Sequence, residues 1–210
     1  LPQGGRPFNS SRYVAAVLGH TNCPGQISLL PSGASMYSTP SSDSISKIGL
    51  PQAAPINLVR LLQAEHAEIR QLFDLYEDLL AQGAPAQRRH ELAVRACLAV
   101  AMHAVVEEEV VYPALRALPA CRRALAEAEV EHAAARALID EIGLLEPDDA
   151  LFDAHVSVLG EYVRHHLVEE EAFLLHELEH STVDLVELGR QARERRASLQ
   201  DELDALDEED

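Results

Sequence analysis

The spacing of apolar residues divides the chain into two unlike parts. Residues 1–54 are rich in Ser, Pro and Gly and show neither a helical nor a strand period, so we predict a disordered, low-complexity segment. From residue 55 onward, apolar residues recur at intervals of three and four, the period of helices that bury one face. Prolines and glycines interrupt this pattern and mark the helix ends. The pattern predicts five helices, at about residues 56–81, 87–118, 120–142, 151–179 and 181–206.

Four of these helices are long and joined by short loops, which predicts an all-α fold: an antiparallel, up-down four-helix bundle. We expect the bundle to span residues 55–180 and residues 181–210 to form an extra C-terminal helix followed by an acidic tail. Pro113 lies inside the second helical stretch. Because proline lacks a backbone N–H, we expect it to kink the last turns of that helix.

Each predicted bundle helix carries one histidine within its apolar stripe. In the second and fourth helices a glutamate follows that histidine after four residues, a spacing that stacks both side chains on one helix face. A buried carboxylate needs a partner, and the repetition of the pair indicates a site rather than chance. The six residues predicted to face inward are His66, His103, Glu107, His132, His166 and Glu170.

The positions of these residues along the helices predict that they meet. His66 and His103 lie 17 and 20 residues from Gly83 in the first turn, so antiparallel packing brings them to one level, and the next two turns give similar near-matches. Four imidazoles and two carboxylates suit a transition metal better than calcium, magnesium or structural zinc. Six ligands exceed the needs of one open site. We therefore predict two iron ions, bridged by Glu107, Glu170 and an oxo or hydroxo group.

Taken singly, these residues have simpler explanations. A lone inward histidine is usually a hydrogen-bonded core residue, and a run of glutamates is usually a solvated face. Only the convergence of all six favours a metal site. We expect the other glutamates of the two runs to be solvated: Glu108, Glu109, Glu169 and Glu171. The remaining histidines are expected at the surface or around the site: His20, His90, His155, His165, His176 and His180.

Two adjacent histidines on the fourth helix compete for the inward position. His165 precedes Glu169 by four residues just as His166 precedes Glu170, so spacing does not choose between them. The stripe through His165 is partly polar. The stripe through His166 is bulky and apolar, with Phe152, Val156, Leu159, Val163 and Phe173. We therefore predict that His166 faces the metals.

Charge and cysteine content restrict the partners and the compartment. The formal net charge is −18; residues 1–50 carry +2, so the rest of the chain carries −20. Such a surface repels nucleic acid and anionic lipid, and we expect neither as a partner. The three cysteines, Cys23, Cys97 and Cys121, form an odd set without a C-x-x-C motif, which favours packed thiols in a reducing compartment, the cytoplasm.

The segments around the six residues resemble those of the hemerythrin-like HHE cation-binding proteins. The matching segments are AEHAEI at 64–69, HxxxEEE followed by YP at 103–113, EVEH at 129–132 and YVRHH with the following EEE at 162–171. The resemblance covers about residues 56–200. It implies a four-helix bundle that holds a non-haem di-iron centre, with the six residues at the ligand positions. It also implies a small ligand such as dioxygen, peroxide or nitric oxide.

Two departures from the hemerythrin oxygen carriers bear on the chemistry. The third helix of the carriers looks like an H-x-x-x-H motif, whereas here Arg136 lies four residues after His132. The carriers also space their last histidine and its carboxylate one residue wider, and that carboxylate is an aspartate where this chain has Glu170. Fewer imidazoles leave more open coordination and a weaker hold on the metal. We therefore expect oxygen or redox sensing, nitric oxide binding or iron handling rather than tight oxygen carriage. No nucleophile or substrate cluster indicates an enzyme, although a peroxidase- or catalase-like side reaction fits an open iron pair.

Two other interpretations belong to different classes. A ferritin-like di-iron oxidase or iron store uses E-x-x-H motifs, which Glu129–His132 and Glu177–His180 fit locally, but these lie on consecutive helices. A metal-free helical interaction module leaves the convergence of six residues unexplained. The metal content of the purified protein distinguishes this module from the metal-binding interpretations.

Overall fold

The structure, a computed structural model, describes residues 57–208, and within that range it consists of helices and turns without a strand. The helices are α1 (Leu58–Ala81), α2 (Ala86–Val106), α3 (Tyr112–Arg116), α4 (Arg122–Leu144), α5 (Phe152–Ala172), α6 (Leu174–Glu179) and α7 (Leu185–Glu208). A π-helical segment, Glu107–Val111, joins α2 to α3, and a 3-10 turn, Pro119–Cys121, precedes α4. The predicted all-α bundle with an extra C-terminal helix is confirmed. The predictions made for residues 1–54, including those for His20 and Cys23, concern residues outside the described range.

The bundle is formed by α1, α2, α4 and α5, whose apolar stripes face one another. Asn57 begins α1 by accepting a hydrogen bond from the Val59 N–H at 2.9 Å, and Gly83, with φ of +64°, makes the turn into α2. Helix α1 packs against α2 and α5, and α4 packs against α5. Cys97 and Cys121 are free and buried, as expected for packed thiols.

The predicted kink at Pro113 takes the form of a wider helical turn. The N–H of Tyr112 bonds to the carbonyl of Glu107, five residues back, in place of the usual four. A proline ring crowds the carbonyl four residues before it and offers no N–H, and a π-helical turn removes that conflict. The segment begins at Glu107, which is buried, while Glu109 faces solvent. The widened turn thus begins at the residue that carries the inward carboxylate.

The prediction of one continuous helix over 151–179 is wrong near its end. The backbone breaks at Phe173, with φ of −126° and ψ of −61°. Phe173 was predicted to face inward, but it is 40% exposed. The neighbouring leucines Leu174 and Leu175 are both buried instead. Consecutive side chains of an unbroken helix point about 100° apart, so the break lets both leucines enter the core.

Gly160 lets α5 approach α1 closely. A Cβ atom at this position would lie 2.8 Å from Cδ1 of Phe73, a buried ring over which the Arg164 guanidinium lies at 5.8 Å. We predict that Gly160→Val lowers the free energy of unfolding by about 1–3 kcal/mol because the added atoms overpack this contact. Urea denaturation measures the change. Ala154→Val, at an exposed position of the same helix, controls for the helix propensity of valine; equal effects of the two variants would contradict the prediction.

The C-terminal helix α7 packs against α1, α2 and the π-helical segment. The side chains of Ala192, Leu199 and Leu203 are buried. Its opposite face is charged, as expected for an amphipathic helix on the outside of a bundle. Among residues 57–208, we find no helix with the length and hydropathy needed to cross a membrane.

Candidate metal centre

The structure brings the six predicted residues together inside the bundle. Helices α1, α2, α4 and α5 each supply one histidine, the π-helical segment supplies one glutamate, and α5 supplies the other. Their exposed fractions are 0% for His66, 3% for His103, 0% for Glu107, 4% for His132, 6% for His166 and 2% for Glu170. The predicted convergence is therefore found, and the binding of metal by these residues stays a prediction.

The histidines form two pairs with a carboxylate between them. The ring centroids of His66 and His103 are 4.8 Å apart, and those of His132 and His166 are also 4.8 Å apart. Glu107 faces both pairs: its Oε1 lies 3.2 Å from Nε2 of His103, and its Oε2 lies 3.3 Å from Nε2 of His132. One carboxylate thus presents one oxygen to each pair.

Glu170 lies beside the same two pairs. Its Oε2 is 3.4 Å from Nε2 of His66 and 3.8 Å from Nε2 of His166. The potential ligand atoms accordingly fall into two groups, each lying within 4.8 Å. One comprises His66, His103, Glu107 and Glu170, and the other comprises Glu107, His132 and His166. This grouping is compatible with two cations, with Glu107 common to both groups.

Six inner atoms of this cluster lack hydrogen-bond partners. Nε2 of His66 and of His103 and all four carboxylate oxygens of Glu107 and Glu170 are buried without one. Buried polar atoms in proteins almost always have partners, because leaving them without one is costly. Nitrogen and oxygen donors aimed at one small volume suit a first-row transition metal. The residues present therefore fit a pair of metal cations.

The outer nitrogen of each histidine is held by a carboxylate from a neighbouring element. On one side, Nδ1–H of His66 donates to Glu171 at 2.8 Å, and Nδ1–H of His103 donates to Glu65 at 3.1 Å. A carboxylate at Nδ1 fixes the proton on that nitrogen, so the lone pair of Nε2 is free to bind metal. It also orients the ring and raises its basicity.

The second pair is arranged in the same way. Nδ1–H of His132 donates to Glu108 at 2.9 Å, and Nδ1–H of His166 donates to Glu131 at 2.7 Å. Around the bundle, α1 supports the histidine of α2, the π-helical segment supports that of α4, α4 supports that of α5, and α5 supports that of α1. These four links tie the bundle helices together at the level of the site.

The prediction that Glu108 and Glu171 are merely solvated is wrong, and Glu65 and Glu131 were missed. The sequence did contain a signal, because each of the four is adjacent to an inner residue. Neighbouring helix positions differ by about 100°, so a residue next to an inward one points along the side of the helix, toward the adjacent helix. The cross-helix hydrogen bonds follow from that direction.

Three of these outer carboxylates are in turn held by arginines. Arg70 contacts Glu171 at 2.7 Å, Arg136 contacts Glu108 at 2.5 Å, and Arg196 contacts Glu65 at 3.2 Å. Arg136 stands where the resemblance to the hemerythrin carriers would place a further histidine. It does not contact the inner cluster but binds Glu108, the carboxylate that holds Nδ1 of His132. Arg196 lies on α7, so the C-terminal helix also contacts the outside of the site.

Electrostatics within the cluster favour the charged forms of three histidines and of Glu107, but not of Glu170. Burial alone would lower the pKa of each histidine, but the nearby carboxylates outweigh it and raise the pKa of His66 to about 9, His103 to about 10 and His132 to about 9. Burial opposes ionisation of Glu107, but the charge of His103 and the nearby imidazoles hold its pKa well below the usual range. Burial and the charge of Glu107 raise the pKa of Glu170. Protons and metal cations thus compete for the same atoms.

Tyr112 adds a buried phenol to the edge of the site. Its hydroxyl lies 3.2 Å from Nε2 of His132, and the two rings stack with centroids 5.5 Å apart. Burial, followed by the charge of Glu107, raises the pKa of Tyr112, so the phenol stays neutral and can donate its proton in a hydrogen bond. Sequence reasoning did not assign this residue a role.

The structure places His166 inside and His165 outside, as predicted. His165 is exposed and pairs with Glu169 at 3.2 Å. His155 is half-buried, and His176 and His180 are exposed. The expectation that His90 lies at the surface or around the site is wrong. It is buried against Phe152, with ring centroids 5.6 Å apart, and burial lowers its pKa.

The ferritin-like arrangement is not present in the described residues. Glu129, which that arrangement needs beside His132, is exposed and forms an ion pair with Arg116 at 2.6 Å. Glu177 and His180 lie at the end of α6 and outside the inner cluster. These motifs therefore do not assemble a second set of inner ligands.

Fold and site together define the class of this protein: an all-α bundle whose buried histidine and glutamate cluster fits a metal site. The model of the hemerythrin HHE cation binding domain matches residues 57–178. The chain therefore belongs to the hemerythrin HHE cation-binding domain family. The match includes all six inner residues and ends before α7. Comparison with curated proteins and with solved structures gave no significant match.

Proposed function

We propose that this protein binds two iron ions in its bundle and that the iron pair binds or senses dioxygen or a related small oxidant, such as peroxide or nitric oxide. The observation that carries the proposal is the position of Glu107, whose two oxygens face different histidine pairs at 3.2 and 3.3 Å. A carboxylate placed in this way suits two cations better than one.

The donor set supports a symmetric division. His66 and His103 would hold one ion, His132 and His166 would hold the other, and Glu107 and Glu170 would contribute to both. Two imidazoles and shared carboxylates leave each ion with vacant positions. When bound, an iron pair supplies redox activity and open coordination for a small oxidant. The protein residues supply orientation through the outer carboxylates and limit the access of bulk water by burying most of the site.

A connection to the C-terminal helix supports a sensing role. Arg196 of α7 contacts Glu65, and Glu65 accepts the hydrogen bond from Nδ1 of His103. Arg195, also on α7, contacts Glu109 of the π-helical segment at 2.6 Å. A change in the position or charge of His103 or of this segment would therefore alter the contacts of α7, which lies on the outside of the bundle.

Anaerobic titration of the metal-free protein with ferrous iron tests the proposal. We predict two irons per chain by elemental analysis and, after admission of air, the near-ultraviolet absorption of a ferric pair. His166→Ala should lose at least one iron and this absorption, whereas His165→Ala should keep both, because only His166 faces the cluster. One zinc and no iron after iron-replete expression would refute the iron pair. Loss of iron in His165→Ala but not in His166→Ala would refute the ligand assignment.

A further inference from the structure

A cavity of about 470 Å³ lies between α4 and α5 and leads to one side of the metal centre. At its inner end are His166 and Glu170, and the Glu170 oxygens are buried without a hydrogen-bond partner. Its rim includes the exposed residues Arg123 and Glu127, which pair with each other at 2.9 Å. Small side chains form much of the wall, namely Ala120, Ala124, Ala128 and Ala172. The cavity thus connects the outer surface with a carboxylate of the inner cluster.

A second group of potential metal ligands lies at this cavity. Ligand atoms of Glu131, His165 and Glu169 lie within 4.8 Å of one another, with Nε2 of His165 3.2 Å from Oε1 of Glu169. His165 and Glu169 are exposed, and Glu131 is half-buried. Glu131 and Glu169 both line the cavity. One imidazole and two carboxylates, open to water on one side, are donors that suit a divalent first-row cation.

Glu131 joins this outer group to the metal centre. Its side chain is 20% exposed, and its Oε2 accepts the hydrogen bond from Nδ1 of His166 at 2.7 Å. An exposed His–Glu pair one helical turn apart is by itself an ordinary surface feature. Here a third ligand comes from the neighbouring helix, and the adjoining cavity ends at the unpartnered Glu170. The net charge of −18 further raises the local concentration of cations.

We propose that Glu131, His165 and Glu169 form a second, weaker cation site that binds ferrous iron at the surface and passes it through the cavity to His166 and Glu170. This inference rests on the proposed function, because it assigns a loading route to the same centre. The ion stays ferrous throughout: it exchanges water and the outer ligands for the inner ones, and no electron is transferred.

The rate of anaerobic iron loading tests the inference. The double variant His165→Ala/Glu169→Gln removes two of the three outer ligands and leaves the inner six in place. The control is His155→Ala/Glu141→Gln, which removes another His–Glu pair between α5 and α4, 3.2 Å apart and not part of this cavity. Stopped-flow mixing with ferrous iron should show loading slowed roughly tenfold or more in the first variant. The control should load at the wild-type rate, and all three proteins should retain two tightly bound irons after gel filtration.

Equilibrium binding of cobalt(II), followed by calorimetry, gives a second readout. Wild type and the control should bind two ions tightly and a third more weakly, and His165→Ala/Glu169→Gln should lose only the third. Unchanged loading and an unchanged third ion in that variant would overturn the loading site. Failure of wild type to hold any tight pair would instead overturn the proposed function. Circular dichroism of each variant checks that the fold is kept.

Discussion

Replacing Glu107 with Gln is expected to abolish the tight binding of both metal ions. The two Glu107 oxygens lie 3.2 Å from His103 Nε2 and 3.3 Å from His132 Nε2, so both ions would lose the same anionic ligand. Gln has nearly the same shape, and the fold should therefore be retained. Elemental analysis after gel filtration of iron-loaded protein measures the loss. Two irons retained by Glu107→Gln would show that this carboxylate is not shared between the ions.

The two following glutamates provide matched controls within one turn. Glu108 contacts Nδ1 of His132 and does not face the inner cluster. Glu108→Gln should therefore weaken metal binding by about 10–100-fold without abolishing it. Glu109 is exposed and pairs with Arg195, so Glu109→Gln should bind like wild type. The expected order of effect, Glu107 then Glu108 then Glu109, distinguishes a bridging ligand from a general effect of acidic charge.

Helical periodicity was sufficient to predict the inner residues. His66 and His132 each interrupt an apolar stripe whose other members are spaced by three and four, and burial of such a stripe places the histidine inside. The four-residue spacing of His103 with Glu107 likewise fixes a shared face without any knowledge of the neighbouring helices. The fold class followed from the same pattern, since long amphipathic helices with short loops leave few ways to pack.

The outer carboxylates could not be assigned from the same pattern. Glu171 and Glu108 flank the inward face, where composition alone suggests solvent, and their partners lie on other helices. Their role depends on the rotation of adjacent helices, which a single stripe does not specify. The break at Phe173 was missed for a similar reason, because the apolar run Phe173–Leu175 is compatible with one continuous helix. Only the packing of the core shows that both leucines are buried.

The α7 contacts illustrate a further limit. The sequence predicts an amphipathic helix near residues 181–206, but its apolar stripe does not say which face of the bundle it covers. In the structure it covers α1, α2 and the π-helical segment, and Arg196 reaches Glu65. The periodicity did not predict the π-helical turn either, although the expected distortion near Pro113 is found there.

The stabilisation of the protein by metal is expected to increase as the pH rises from about 6.5 to 8.5. The raised pKa values of His66, His103 and His132, from 6.5 to about 9, 10 and 9, mean that bound protons stabilise the metal-free fold. For a raised histidine pKa this contribution is complete below the unfolded value of 6.5 and is lost as the pH rises through the folded value. The raised pKa of Glu170 acts in the same direction. Glu107, whose pKa is lowered, stays ionised across this window and does not alter the sign.

Metal ions replace those protons, so the loaded protein does not suffer the same loss, and at higher pH fewer protons compete with the metal. Thermal unfolding of metal-free and cobalt(II)-loaded protein at several pH values measures the difference in Tm. We expect this difference to be smallest near pH 6.5 and to grow steadily toward pH 8.5. Glu107→Gln, which should not hold the pair, serves as the control and should show little difference at any pH. A difference that stays constant or shrinks with rising pH in the wild type would mean that metal does not displace protons from these histidines.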